Sequence, residues 1–148
     1  MNVLIVCTGN SCRSQMAEGI LRSLHPSWKI VSAGTRPERE VNPYAIQVMQ
    51  EIGLDISSHY PKHTDRFAGD SFDVVMTVCD NARESCPVFK GEVKRRIHIG
   101  FEDPAAALGS EEEILPVYRK IRDQIREVVE NSTKRDQRDR KRKVQPDC

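Results

Sequence analysis

The segment Cys7-Thr8-Gly9-Asn10-Ser11-Cys12-Arg13 sets a thiol and a guanidinium six residues apart, in the pattern C-x5-R. It leaves a short apolar run, turns through Gly9 and Asn10, and enters a helical pattern at Arg13 and Ser14. A strand-to-helix turn of this kind points several backbone N–H groups inward at a tetrahedral oxyanion, with the helix N-terminus beneath. Thr8, Gly9, Asn10, Ser11, Cys12, Arg13 and Ser14 are therefore the expected anion-binding residues. Arg13 supplies a bidentate fork that lysine cannot match. Cys7 stands at the base of the cradle, where a helix N-terminus and a guanidinium lower a thiol from its usual pKa of about 8.5. Ser14 is placed to donate a further hydrogen bond to the sulfur.

The remaining cysteines are Cys12, Cys79, Cys86 and Cys148. Their spacings lack the short ligand pairs of zinc sites, and the chain is long enough to form a core without disulfide staples. With no export signal apparent, these thiols are expected to be reduced. Gly100-Phe101-Glu102-Asp103-Pro104 adds a carboxyl group able to reach an anion and protonate its leaving oxygen, with Asp103 and Glu102 as the candidates. His25, His59, His63 and His98 show no metal-binding spacing.

The elements that position these groups follow from apolar patterning. Asn2–Cys7 (NVLIVC), Lys29–Ala33 and Asp73–Val78 (DVVMTV) read as buried parallel strands, and Arg95–Ile99 as an edge strand of mixed polarity. Ser14–Leu24 places Ala17, Ile20, Leu21 and Leu24 on one helical face. Pro43 opens a second helix that Gly53 stops. Ser110 and Glu113 form a capping box ahead of a last helix with Ile114, Val117, Tyr118, Ile121, Ile125 and Val128 at core spacing. Strands alternating with helices predict an α/β chain: one three-layer domain around a four-stranded parallel sheet. Ligands of such sheets sit beyond the carboxyl ends of the strands, where Cys7, Cys79 and Gly100 converge.

The chain has 148 residues, enough for one domain, and 23 basic against 22 acidic side chains. That balance excludes a uniformly basic nucleic-acid binder, and binding to nucleic acid is not expected. No apolar run is long enough to span a bilayer, so the protein is expected to be cytoplasmic. Seven basic residues and three acidic ones fall in 132–148, leaving residues 1–131 with 16 basic and 19 acidic, a net of −3. The boundaries expected are thus a catalytic domain over 1–131 and a basic, mobile tail over 132–148, with continuation of the last helix as the rival for its first residues.

CTGNSCRSQMAEG resembles the phosphate-binding loop and first helix of low-molecular-weight protein tyrosine phosphatases, and still more the thioredoxin-coupled arsenate reductases built on that fold. The similarity runs from about Val3 to about Val129. It implies Cys7 as nucleophile, Arg13 as oxyanion ligand and Asp103 as general acid. Phosphate-ester hydrolysis needs one thiol, whereas converting arsenate to arsenite needs two electrons, which a thiol pair supplies by becoming a disulfide. Cys79 and Cys86 match the paired redox cysteines of the reductases, with arsenate as substrate, thioredoxin as reductant and no cofactor. Alanines follow Asp103-Pro104, where the phosphatases usually carry an aromatic residue to flank the phosphotyrosine ring. Some relatives hold potassium at residues matching Asn10, Glu18 and Ser32 and a further acid; here Lys62 stands at that last position, and is expected to take the cation's place and pair with Glu18. The alternatives are a tyrosine phosphatase using Cys7, Arg13 and Asp103, and a thiol redox switch or adaptor.

Overall fold

The computed structural model describes residues 1–79 and 91–144, with backbone only for 133–144. Four strands, β1 (Asn2–Cys7), β2 (Lys29–Gly34), β3 (Phe72–Thr77) and β4 (Val93–His98), form one parallel sheet in the order β2-β1-β3-β4. Among the described residues three helices accompany it: α1 (Arg13–Leu24), α2 (Pro43–Glu51) and α3 (Glu111–Val144). Short 3-10 turns lie at Thr64–Phe67 and Pro104–Ala106.

The central strand explains its own composition. Val3 to Cys7 are all buried, so β1 faces apolar surroundings on both sides, as its unbroken apolar run requires. β4 is an edge strand, and its Lys94, Arg95 and Arg96 are exposed. The registers Cys7↔Gly34, Val6↔Thr77 and Thr77↔His98 bring the carboxyl ends of all four strands to one rim.

Asn42 caps α2 by accepting from the Tyr44 amide, and Pro43 fills the first helical position. Gly53, at φ 78, ends the helix in the left-handed conformation that glycine adopts without penalty. At the start of α3 the Ser110 hydroxyl donates to Glu113 Oε1 at 3.3 Å, so this cap is a side-chain pair rather than the reciprocal backbone box expected. Helix α3 packs against both α1 and α2.

Four predicted core positions shift. Leu24 is 39% exposed at the end of α1, while Gln15, Met16 and Glu18 are buried instead. Along α3 the buried apolar residues are Leu115, Tyr118, Ile121, Ile125 and Val129, whereas Ile114, Val117 and Val128 are only half-buried. Arg122 is also buried there, donating to the Val48 carbonyl (2.9 Å) and pairing with Glu51 (2.9 Å) to tie α3 to α2. The backbone of α3 runs on past residue 131 to Val144, so no helix end marks the 131/132 boundary. Among the described residues no helix is long and apolar enough to cross a membrane.

Ile121 is fully buried in the core. Ile121→Ala is expected to cost about 2–5 kcal/mol through lost apolar burial and the cavity left behind. A urea titration followed by circular dichroism checks this as a lower midpoint at unchanged slope.

Candidate active site

The loop after β1 is held from outside by its own carbonyls. Cys7 O accepts from Thr35 N (3.2 Å), Thr8 O from Arg36 N (2.9 Å), Gly9 O from Glu38 N (2.9 Å) and Ser11 O from Asn42 N (3.0 Å). Cys12 O accepts from Met16 N within the helix start (2.9 Å), and Asn10 O from Gln15 Nε2 (3.1 Å). Six consecutive carbonyls are thereby engaged, and the amides of residues 9–13 have no partner among the described residues. No side chain caps α1, and its first turn contains no acid. Free N–H groups at a helix N-terminus with no built-in carboxylate suit an external anion.

Asn10 is the keystone of this turn. It is buried, with φ 50, a conformation Asn tolerates better than most residues. Its Nδ2 donates to Ser14 Oγ (2.8 Å) and Ser32 Oγ (2.9 Å), and its Oδ1 accepts from the Lys62 amide (3.0 Å). The Ser14 hydroxyl oxygen thus accepts from Asn10, and among the described residues no hydrogen bond from it to the Cys7 sulfur is found, unlike the sequence expectation. Gly34 lets β2 close on the loop, because a Cβ there would strike the Thr8 carbonyl.

Arg13 leans across the pocket. One terminal nitrogen donates to Phe101 O at 3.0 Å, and the other lies 3.6 Å from Asp103 Oδ2. Its Nε is buried without a partner among the described residues, an unmet donor of the sort that a bound anion satisfies. Asp103 is half-exposed, and its Oδ1 accepts from the Ala105 amide at 3.0 Å. Cys7, Thr8, Gly9, Asn10, Ser11, Cys12, Arg13, Asp103 and Ala105, with the 36–43 segment, line a cavity of about 600 Å³.

Cys79 stands behind this wall. Val78 N donates to Val6 O at 3.0 Å, which carries the residue after it to the foot of the loop. There the Cys79 thiol meets the Cys7 thiol, and the Thr8 hydroxyl lies 3.3 Å from the Cys79 sulfur. Both thiols are buried, at 3% exposed. Hydrogen bonding with Cys79, then burial, push the Cys7 thiol well above its ordinary range, while the Arg13 guanidinium and the Thr8 amide pull it down. The two sulfurs therefore resist ionising together, and the groups that favour a thiolate are gathered at Cys7. Burial pushes Cys12 up to about 11, and its sulfur packs 4.0 Å from the Tyr118 hydroxyl, away from this pair. Cys86 lies outside the described residues.

Glu18, Lys62, Asn10 and Ser32 do share one region, but the expected Lys62–Glu18 ion pair is absent among the described residues. The Lys62 ammonium donates to Tyr60 O at 3.0 Å, and Glu18 Oε2 meets His59 Nδ1 at 3.0 Å with Arg22 Nε 3.7 Å away. The physical reason is reach: the Lys62 head folds back over the Tyr60 ring, 4.8 Å from its centroid. His59 Nδ1 also lies 3.1 Å from Gln15 Oε1. Gln15 and His59, which patterning left unassigned, thus link Glu18 to the loop carbonyl of Asn10. Only the position of Gln15, directly after the loop, hinted at this. No group of three or more His, Cys, Asp or Glu suited to a metal occurs among the described residues.

Residues 2–142 match the family model for the low molecular weight phosphotyrosine protein phosphatases. The chain belongs to that family. Within the family it is 43% identical over 124 residues to the arsenate reductase of Bacillus subtilis (strain 168), covering 83% of this chain and 88% of that one. Against the arsenate reductase of Halalkalibacterium halodurans the identity is 44% with the same coverage. A solved arsenate reductase in its oxidized state superposes with a TM-score of 0.75 at 34% identity, covering 88% of this chain and 94% of that one. The low molecular weight protein tyrosine phosphatase of T. tengcongensis gives 0.72 at 26% identity, with 91% and 99% covered.

Two predictions follow from this geometry. Gly34→Ala is expected to displace the loop and abolish anion binding, because the added methyl meets backbone rather than a movable side chain; isothermal titration with inorganic phosphate, against a circular dichroism control, measures it. Burial alone would raise the Glu18 carboxyl, but its hydrogen bond with His59 and the charges of His59, Arg22 and Lys62 hold it below the ordinary range. A depressed carboxyl contributes stability that is present above its unfolded pKa and is lost as pH falls through the folded one. The stability gap between wild type and Glu18→Gln is therefore expected to be widest near neutrality and to close in acid, as urea midpoints across pH would show.

Proposed function

We propose that this protein reduces arsenate to arsenite through a relay of three cysteines, Cys7, Cys79 and Cys86. The observation that carries the reading is the contact of two buried thiols beneath an anion loop. A hydrolase needs only the first of them. The arsenate reductases among its relatives support the same choice of substrate.

The loop amides and Arg13 hold arsenate while the Cys7 thiolate attacks arsenic, and Asp103 gives a proton to the departing oxygen, which leaves as water. The Cys79 thiolate then attacks the Cys7 sulfur. The sulfur–arsenic electron pair stays on arsenic, arsenic(V) becomes arsenic(III), and a Cys7–Cys79 disulfide remains. Cys86 attacks Cys79, expelling Cys7 as thiolate and leaving Cys79–Cys86. Thioredoxin closes the cycle by returning two electrons and two protons. The role of Cys86 and the choice of thioredoxin rest on the spacing of the cysteines and the family resemblance.

Ala105 on the pocket wall favours reduction over aryl-phosphate hydrolysis, since no aromatic side chain stands there to flank a ring. The deciding experiment follows NADPH oxidation with arsenate, thioredoxin and thioredoxin reductase. Cys7→Ser, Cys79→Ser and Cys86→Ser should each lose multiple turnover, while Cys86→Ser still releases about one equivalent of arsenite because it lacks only the exit step. Turnover of an aryl phosphate that survives loss of both Cys79 and Cys86, with no arsenite formed, would make the protein a phosphatase instead.

A further inference from the structure

Leu108 is 89% exposed, against 39% for Leu24 and 53% for Tyr60, the other exposed large apolar side chains among the described residues. Those two have local accounts: Leu24 ends α1, and Tyr60 carries Lys62 and Arg66 over its ring. Leu108 stands in the uncharged run Ala105-Ala106-Ala107-Leu108-Gly109, in a chain that is 30% charged. Ala105 and Ala106 are exposed beside it.

This run is continuous with the site. Ile99 N donates to Thr77 O (2.9 Å) and Phe101 N to Val78 O (3.2 Å), so the segment sets out beside the residue preceding Cys79. It then passes Asp103 and Ala105, which line the pocket, and arrives at Leu108. The display is braced on both sides. Ala105 N and Ala106 N donate to Asp103 Oδ1 (3.0 Å) and Asp103 O (3.2 Å), and Ala107 N to Pro104 O (3.1 Å). Beyond Leu108, Gly109 turns at φ 122, and Ile114 N donates to Ser110 O (2.9 Å). A leucine held out in water on a fixed loop beside a reaction pocket is prepared for contact with little ordering cost.

We infer that the Ala105–Leu108 run is the landing surface for the protein dithiol that re-reduces the enzyme, with Leu108 seated among apolar side chains around that partner's reactive thiols. The inference rests on the reductase reading above. Cys7 and Cys79 are too buried to guide a macromolecule themselves, so the partner needs a surface next to the strand end that carries Cys79. Glu102 and Asp103 on one side and Glu111, Glu112 and Glu113 on the other give the run acidic flanks, which select a collar that is neutral or basic. In the reaction served, a partner thiolate attacks the Cys79–Cys86 disulfide, forming a mixed disulfide and expelling one enzyme sulfur as thiolate. The partner's second thiol then displaces the other enzyme sulfur, so the partner leaves as the disulfide and the enzyme holds the two electrons.

The test uses the full chain with Leu108→Ala and Leu108→Asp, thioredoxin as the probe and dithiothreitol as a small dithiol control. The expected result for Leu108→Asp is a rise of about tenfold in the KM for thioredoxin, the size of loss typical of a central interface residue, with a smaller rise for Leu108→Ala. The first-turnover yield of arsenite from pre-reduced enzyme, and turnover driven by dithiothreitol, should match wild type. An unchanged thioredoxin KM beside a normal first turnover overturns the landing surface alone. An equal loss with dithiothreitol also overturns it, by showing that Leu108 acts on the chemistry and not on the partner. A wild type that forms no arsenite in the first turnover overturns the reductase reading and this inference with it.

Discussion

The outward commitment of the loop carbonyls is the constraint on which the rest of the site depends. A peptide carries a donor and an acceptor on opposite sides, so a turn whose acceptors are all engaged by its surroundings leaves its donors for the concavity. Thr35, Arg36, Glu38 and Asn42 do this from the segment after β2, and Gln15 and Met16 from α1. The Asn10 side chain then fastens the turn to Ser14, Ser32 and the Lys62 backbone, three separate parts of the chain. The cradle is therefore preorganised by tertiary structure, and Arg13, whose buried Nε lacks a partner among the described residues, completes it.

The sheet makes the second contribution. Parallel pairing of β1 with β3, in the register Val6↔Thr77, delivers Cys79 to the underside of the loop that begins at Cys7. Two thiols from residues 72 positions apart thus share one buried environment, in which their hydrogen bond and burial hold the Cys7 thiol above its ordinary range against the pull of the Arg13 guanidinium. A strand register decides which thiol lies beside Cys7, whereas a helix N-terminus faces the pocket above it.

Much of this was legible in the residues. The apolar β-branched runs announced β1 and β3, and Gly9 and Asn10 announced the turn. The C-x5-R pattern carried its chemistry because it lay between a strand and a helix. What stayed hidden were links made by single side chains: Gln15 to Tyr60 and His59 to Glu18 across long separations, and Lys62 to the nearby Tyr60 carbonyl rather than to a carboxylate. Such contacts have no period. The shift from Val128 to Val129 on α3 has a similar origin, since its buried face is set by two neighbouring helices at once. The composition change near residue 131 was real as chemistry, yet the helical backbone passes through it.

A cradle fixed so fully before any ligand arrives has a consequence for selectivity. Arsenate and phosphate are tetrahedra of the same charge and nearly the same size, and a rigid ring of amides has no means to tell them apart by fit. Discrimination must then come after capture, from the element at the centre: a thiol pair can take arsenic from its pentavalent to its trivalent state, while pentavalent phosphorus declines the electrons and departs unchanged. On this view phosphate is a competitor built into the architecture, and the sheet, not the loop, is where the protein chooses.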